Sequence, residues 1–295
     1  MSREDFQMLL RILQIIFAAI ILISAFMVIR DYRKHKEDMP QKNRVIFFIF
    51  SFFANILDTL GIGSFATTTA FCHATKLVDD KKIPGTLVVG CTIPVAIQAL
   101  AFTTSVKMNP EVLVILLICC AAGAFIGGRL NGKLPIKTIR IIMGIGLFIA
   151  GFLILGQIFN KLPGGGNATT VTGVKLIVGC IVIFLLGMFY PLGIGCYAPT
   201  MVLVSLIGMN PTIAFPVMMG GATFNNLSSF LGIIKSGNYH RCAAFDFNWA
   251  GALGVLIAVK FITSLPIEIL RWIVFIVVIY TAVSMLYAAA KKADN

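Results

Sequence analysis

The sequence predicts an all-α polytopic membrane protein, built as two inverted repeats behind one extra N-terminal helix. Three observations predict it. Hydrophobic residues fill 58% of the 295 positions and charged residues 12%, and the mean hydropathy is +0.94. A soluble domain of this size needs more polar cover for its surface. The apolar residues run continuously rather than alternating, and several runs approach the ~18–20 residues a helix needs to cross a bilayer. Finally, one glycine-bearing motif occurs twice, as Leu60-Gly-Ile-Gly63 and Leu192-Gly-Ile-Gly195.

The elements follow in order. Residues 8–29 are long, lack a small-residue cleavage site and precede a basic loop, so they read as a retained helix and not as a signal peptide. Apolar segments then fall at 45–57, 60–75, 84–105, 111–128 and 138–157, and again at 173–189, 192–208, 212–234, 247–265 and 268–289. The first two of each set are short. Each such pair is either one broken crossing or a hairpin that returns to its own side. Positive charge separates the two. With hairpins and an outer N-terminus, 17 of the 24 Lys and Arg residues lie in cytoplasmic loops; with single crossings the split is 13 to 11. The positive-inside rule favours hairpins, without saying whether their tips cross fully or re-enter. It also accounts for the net charge of +12 without nucleic acid.

Aligning the halves pairs Ala66 with Ala198, Ile83 with Ile213 and Gly90 with Gly220. Each half is a broken or re-entrant hairpin followed by three transmembrane helices. An odd number of segments per half makes the repeats inverted. The expected organisation is residues 1–43 as extra helix and basic cytoplasmic loop, 44–158 as repeat 1, 159–172 as an extracytoplasmic linker, and 173–295 as repeat 2 with a short cytoplasmic tail. The expected location is the cell membrane, with the N-terminus outside and the C-terminus cytoplasmic.

Inverted repeats around interrupted helices point to a secondary transporter with a midplane site. Glycine lets the chain turn and lets a ligand approach the backbone. A broken helix frees N–H groups at its new start, and these, with the helix dipole, attract anions. The alternative reading is that Gly-x-Gly only permits close helix packing. The candidate substrate-binding residues are therefore Gly61, Ile62, Gly63, Ser64, Thr67 and Thr68 at the first tip, and Gly193, Ile194, Gly195, Cys196 and Tyr197 at the second. Serine and threonine hydroxyls either donate to an anion or bond back to helix carbonyls. Asn225, Asn226 and Gln98 are amides inside apolar helices, placed either for substrate or for interhelical bonds. Cys196 is a small residue or a reactive thiol.

Asp58 precedes the first tip, where its counterpart is Tyr190. A carboxylate inside a membrane segment is a functional candidate by default. It is the candidate coupling residue for H⁺ or Na⁺; capping a helix or bracing the hairpin is the alternative. An ionised carboxylate repels an anion, which argues against direct substrate contact.

Other classes find less support. HExxH, GxSxG and a nucleotide-binding loop are missing from the sequence, so no enzyme and no ATP-driven pump is expected. The seven cysteines form no CxxC pair, and no metal site or cofactor is expected. An anion channel would need a polar pore, and no ring of repeated charges is seen.

The duplicated LGIG hairpins, each followed by a polar turn and a helix with a mid-segment glycine at Gly90 or Gly220, resemble the TauE/SafE family. This family is also called the sulfite exporter or toluene-sulfonate uptake permease family. The resemblance covers about residues 44–290. It implies a carrier of small sulfur-containing anions such as sulfite, sulfoacetate or other organosulfonates, with a non-sulfur organic anion as the alternative. The implied partners are that anion, the lipid bilayer, a coupling H⁺ or Na⁺, and a homo-oligomer as an open option.

Overall fold

The computed structural model describes residues 3–36, 42–59, 64–129, 136–159, 166–190, 197–263 and 267–290. Among them the chain is nearly all helical and forms no strand. The helices are α1 (Arg3–Lys34), α2 (Arg44–Thr59), α3 (Ser64–Thr75), α4 (Ile83–Ser105), α5 (Pro110–Arg129), α6 (Ile136–Ile158), α7 (Val174–Phe189), α8 (Tyr197–Leu206), α9 (Ala214–Ser236), α10 (Arg241–Thr263) and α11 (Ile267–Ala290). Each predicted apolar segment corresponds to one helix. In the two short pairs α2 ends at Thr59, α3 opens at Ser64, α7 ends at Phe189 and α8 opens at Tyr197. Gly61, Ile62 and Gly63, and Gly193, Ile194, Gly195 and Cys196, lie outside the described residues.

Four helices among the described residues are long and apolar enough to cross a membrane, over Gln7–Lys34, Ile83–Ser105, Pro110–Gly127 and Arg241–Phe261. Their outer faces carry large apolar side chains. Ile15, Leu22 and Phe26 of α1, Ile118 and Phe125 of α5, and Leu256, Ile257 and Phe261 of α10 are all exposed. Such continuous apolar surface is unfavourable in water and suited to lipid chains.

The helices fall into two compact units, and each is assembled from two separate stretches of the chain. The first comprises Met1–Val106 and Met219–Thr263. In it α10 packs on α2 and on α4, and α1 packs on α4. The core joins Phe47, Cys72, Val78, Ile83, Leu87, Ala243 and Phe247. Small residues let α10 approach: a Cβ on Gly254 would collide with the Phe52 carbonyl, and one on Gly251 would lie 2.6 Å from Asn55 Nδ2 and 2.7 Å from Pro94 Cγ.

Pro94 interrupts the backbone pairing of α4, because proline has no N–H to donate. Asn248 of α10 meets α4 at this point. Its Oδ1 accepts from the Ile93 N–H at 3.1 Å, and its Nδ2 donates to the Val89 carbonyl at 2.9 Å. Those two groups pair with each other in a regular helix. The amide therefore serves both partners across the interface.

Polar contacts gather at one end of this unit. Arg44, which opens α2, pairs with Asp246 of α10. Arg241, which opens α10, pairs with Asp31 near the end of α1. The His240 N–H donates to Thr86 Oγ1 in the first turns of α4 at 2.8 Å. So α2, α4 and α10 begin together, where α1 ends.

The second unit comprises Lys107–Met218 and Ser264–Asn295. Here α5 packs on α7 and α6 on α11. Gly123 and Gly127 of α5 sit on the Phe184 and Met188 carbonyls, and Gly187 of α7 sits on the Cys120 carbonyl; a Cβ at any of the three would overlap backbone. The connections meet at one end. The Asn210 N–H donates to the Ala168 carbonyl at 2.9 Å and the Asn109 N–H to the Thr169 carbonyl at 3.0 Å. Lys175, in the first turn of α7, reaches Gly208 just past the end of α8, where φ is +86°.

Candidate functional site

The C-terminal part of α2 carries Ser51, Asn55, Asp58 and Thr59, all buried. Their spacing places them on one helical face. The other faces of α2 carry Val45, Ile49, Phe53 and Leu57, which are exposed. The polar stripe is thus turned inward, against α3, α4 and α10, and it is knitted together residue by residue. Ser51 Oγ donates to the Phe247 carbonyl at 2.9 Å. Asn55 Nδ2 donates to the Ser51 carbonyl at 2.9 Å, and Thr59 Oγ1 to the Asn55 carbonyl at 2.7 Å.

Asp58 ends the stripe, fully buried, with two donors from two other helices. The Ser64 N–H, at the start of α3, donates to Oδ1 at 2.5 Å. Gln98 Nε2, from the middle of α4, donates to Oδ2 at 3.1 Å and to Thr59 Oγ1 at 2.8 Å. Ser64 Oγ lies 3.9 Å from Cys91 Sγ. Among the described residues no Lys or Arg pairs with Asp58. A buried carboxylate held only by neutral donors and a helix start is an expensive arrangement. It also shows that these donors receive a carboxyl oxygen without a cationic side chain among the described residues.

Of the sequence-predicted residues, Asp58, Ser64 and Gln98 come together here. Ser64 contributes chiefly through its backbone N–H, while the hydroxyl to which the sequence pointed bonds the same carboxylate more weakly. Asp58 closes the first turn of α3, which was the alternative reading of that residue. Thr67 Oγ1 donates back to the Ser64 carbonyl at 3.0 Å, and Thr68 is buried on the same helix. Asn225 and Asn226 are buried on α9 in the same unit. Tyr197 is buried at the start of α8 in the other unit. Sequence reasoning passed over Asn55, Thr59 and Asn248, though Asn55 and Asn248 carried the signal that marked Gln98, an amide inside an apolar helix.

The family model described as sulfite exporter TauE/SafE matches residues 6–154, just over half of the chain. The match spans α1 through most of α6 and includes Asp58, Ser64 and Gln98. No similar curated protein and no similar solved structure was found. With this match, the apolar helices and the duplicated motif, the chain belongs to the TauE/SafE family of membrane transporters.

Proposed function

We propose that the protein is a secondary transporter that moves small sulfur-containing anions, such as sulfite, sulfoacetate or other organosulfonates, across the cell membrane by alternating access. In this reading the start of α3 supplies the N–H groups of the anion site, with Gly61, Ile62, Gly63, Thr67 and Thr68 around it and Gln98 opposite. The start of α8, with Gly193 to Cys196 and Tyr197, is its counterpart in the second repeat. Asn225 and Asn226 complete the polar set, and Asp58 couples transport to H⁺ or Na⁺.

The observation that carries the reading is the pair of neutral donors, Ser64 N–H and Gln98 Nε2, converging on a carboxylate inside an apolar helical unit. The repeat supports it. α2 and α4 both begin beside the start of α10, and α7 begins beside the end of α8. Both are the pattern of a hairpin that returns to its own side. α2 packs on α10 in one unit and α7 on α5 in the other, which are the pairs that the sequence alignment equates. In both pairs glycines of the longer helix, Gly251 and Gly254 of α10 or Gly123 and Gly127 of α5, admit the shorter one. The charge distribution supports an outer N-terminus and a cytoplasmic C-terminus.

Counterflow of labelled sulfite and sulfoacetate in proteoliposomes tests the proposal. Saturable exchange is expected, and its loss in Gly63→Leu ties it to the first tip. Flux that neither saturates nor shows counterflow would indicate a channel. No exchange of either anion would remove the sulfur-anion assignment.

A further inference from the structure

The Asp58 carboxylate occupies the place that the transport reading gives to the substrate. The first turn of a helix leaves N–H groups without helical partners, and the Ser64 N–H is one of them in α3. Asp58 Oδ1 already takes it, and Gln98 Nε2 already holds Oδ2. An oxygen of sulfite or of a sulfonate seeks the same donors in the same geometry. Two negative groups in an apolar interior cannot share them, because Coulomb repulsion at a few ångströms is strong where water is excluded.

A second observation concerns the proton. Gln98 is fully buried, and its Oε1 has no hydrogen-bond partner among the described residues, although Nε2 of the same amide holds both Asp58 and Thr59. Asn55, one turn before Asp58 on the same face of α2, also leaves its Oδ1 without a donor. Buried acceptors are rarely left this way. Both stand beside an acid whose ionised form can only accept. A protonated Asp58 carries the O–H that such an acceptor lacks.

Among the described residues the surrounding charges offer no other compensation. From α4 the titratable neighbour is the Cys91 thiol, next to Ser64. On α10 the charged residues of the first turns, Arg241 and Asp246, are engaged with Asp31 and Arg44. α3 carries no Lys, Arg, Asp or Glu; its titratable residues are Cys72, buried two turns beyond Ser64, and His73 next to it.

We propose that Asp58 is a tethered occupant of the anion site: the incoming anion displaces its carboxylate from the start of α3, and Asp58 binds one proton as it leaves. This rests on the transport reading above and adds its coupling. The step balances as a simple protonation. One proton from solvent binds one carboxylate oxygen, no other bond changes, and the site's charge rises by one as the anion arrives. Anion and proton therefore bind together, and each strengthens the other.

The test is calorimetric titration of the full-length protein in nanodiscs with sulfoacetate, whose acid groups both stay ionised above about pH 6. Two buffers of different ionisation enthalpy report the protons taken up. Wild type should take up about one proton per anion, and its Kd should rise up to about tenfold per pH unit between pH 6 and 8. Asp58→Asn keeps an oxygen for the Ser64 N–H but has no proton to gain; its binding should take up none, with a Kd flat in pH. Sulfoacetate bound by wild type without proton uptake, or only with Na⁺, overturns the inference and leaves the transporter reading standing. Undiminished uptake in Asp58→Asn overturns it as well. Absence of any sulfoacetate or sulfite binding by wild type at every pH instead sinks the transport reading on which the inference rests. The wild-type measurement is decisive even if the variant fails to fold.

Discussion

Arg44 and Asp246 stand 202 positions apart in sequence and meet as a forked pair, with Arg44 Nε 3.2 and 3.1 Å from the two carboxylate oxygens and a terminal nitrogen at 2.5 Å from Oδ1. The guanidinium also donates to the Tyr32 hydroxyl and lies 5.5 Å from the centre of that ring. One side chain thus ties the end of α1, the start of α2 and the start of α10.

The two partners are unequal, which sets the first prediction. The Asp246 side chain is 4% exposed and that of Arg44 is 36% exposed. Removing Arg44 strands a buried carboxylate, while removing Asp246 leaves a guanidinium that reaches water. Arg44→Ala should therefore destabilise more, by about 2–3 kcal/mol, below the range for fully buried pairs because this one is partly exposed. Arg44→Ala/Asp246→Ala should recover part of that loss. Thermal midpoints in detergent check the order; equal effects of the two single variants would show that burial does not set it.

The second prediction concerns pH. His240 precedes α10, and its Nδ1 accepts from the Ala243 N–H at 3.1 Å, capping the helix. Burial lowers its pKa below the ordinary value; Lys82 acts in the same direction, and Asp246 opposes it. The folded protein therefore favours neutral His240, and a protonated ring loses the accepting nitrogen. Because the unfolded chain binds the proton more readily, the contribution is intact above about pH 6.5 and falls as the pH drops below it. The acid slope should reach roughly 1 kcal/mol per pH unit. His240→Asn keeps a capping oxygen without titrating, so its midpoint should fall less than that of wild type between pH 7.5 and 5.5. Parallel curves would remove His240 as the cause.

Particular residues show how far the sequence could be read. The end of α2 at Thr59 and the start of α3 at Ser64 were legible because glycines interrupt an apolar run, and Asp58 and Gln98 because polar groups there are conspicuous. The Ser64 N–H was not, since a side-chain reading directs attention to the hydroxyl. Nor was the packing of α10 on α2, because nothing in sequence order says which helices of different repeats share a core. The glycines of α5 stand in the sequence as Gly123-Ala-Phe-Ile-Gly127, a spacing that by itself names no partner. Their role depends on which carbonyl faces them, and that is a three-dimensional fact.

The third prediction uses those glycines. A Cβ at Gly127 would overlap the Met188 carbonyl, and one at Gly123 the Phe184 carbonyl, so α5 and α7 must separate to accept alanine. Gly127→Ala should cost about 2 kcal/mol or more, the usual scale of overpacking against backbone. Gly232 of α9 is the control, because a Cβ there meets nothing within 4 Å. Gly232→Ala should be neutral or gain up to about 1 kcal/mol from helix propensity. If both variants unfold at the same temperature, the α5–α7 contact is looser than described.

The last prediction separates the backbone of Ser64 from its hydroxyl. Ser64 is the first residue of α3, a position where proline fits a helix without breaking it. Ser64→Pro deletes the N–H that Asp58 accepts and places a ring carbon where the carboxylate sits. Ser64→Ala keeps the N–H and loses the hydroxyl's bond to the Asp58 carboxylate and its contact with Cys91 Sγ. A hydrogen bond to a charged group contributes about 1.5–3 kcal/mol, so losing this donor should weaken anion binding roughly tenfold to a hundredfold. The alanine variant should lose several-fold less than the proline variant, because the hydroxyl's bond to Asp58 is weaker than that of the N–H and its thiol contact is long. Half-saturation of sulfoacetate counterflow reads both, with thermal midpoints confirming that α3 still packs. Equal loss in the two variants would mean that the hydroxyl, and not the start of the helix, binds the anion.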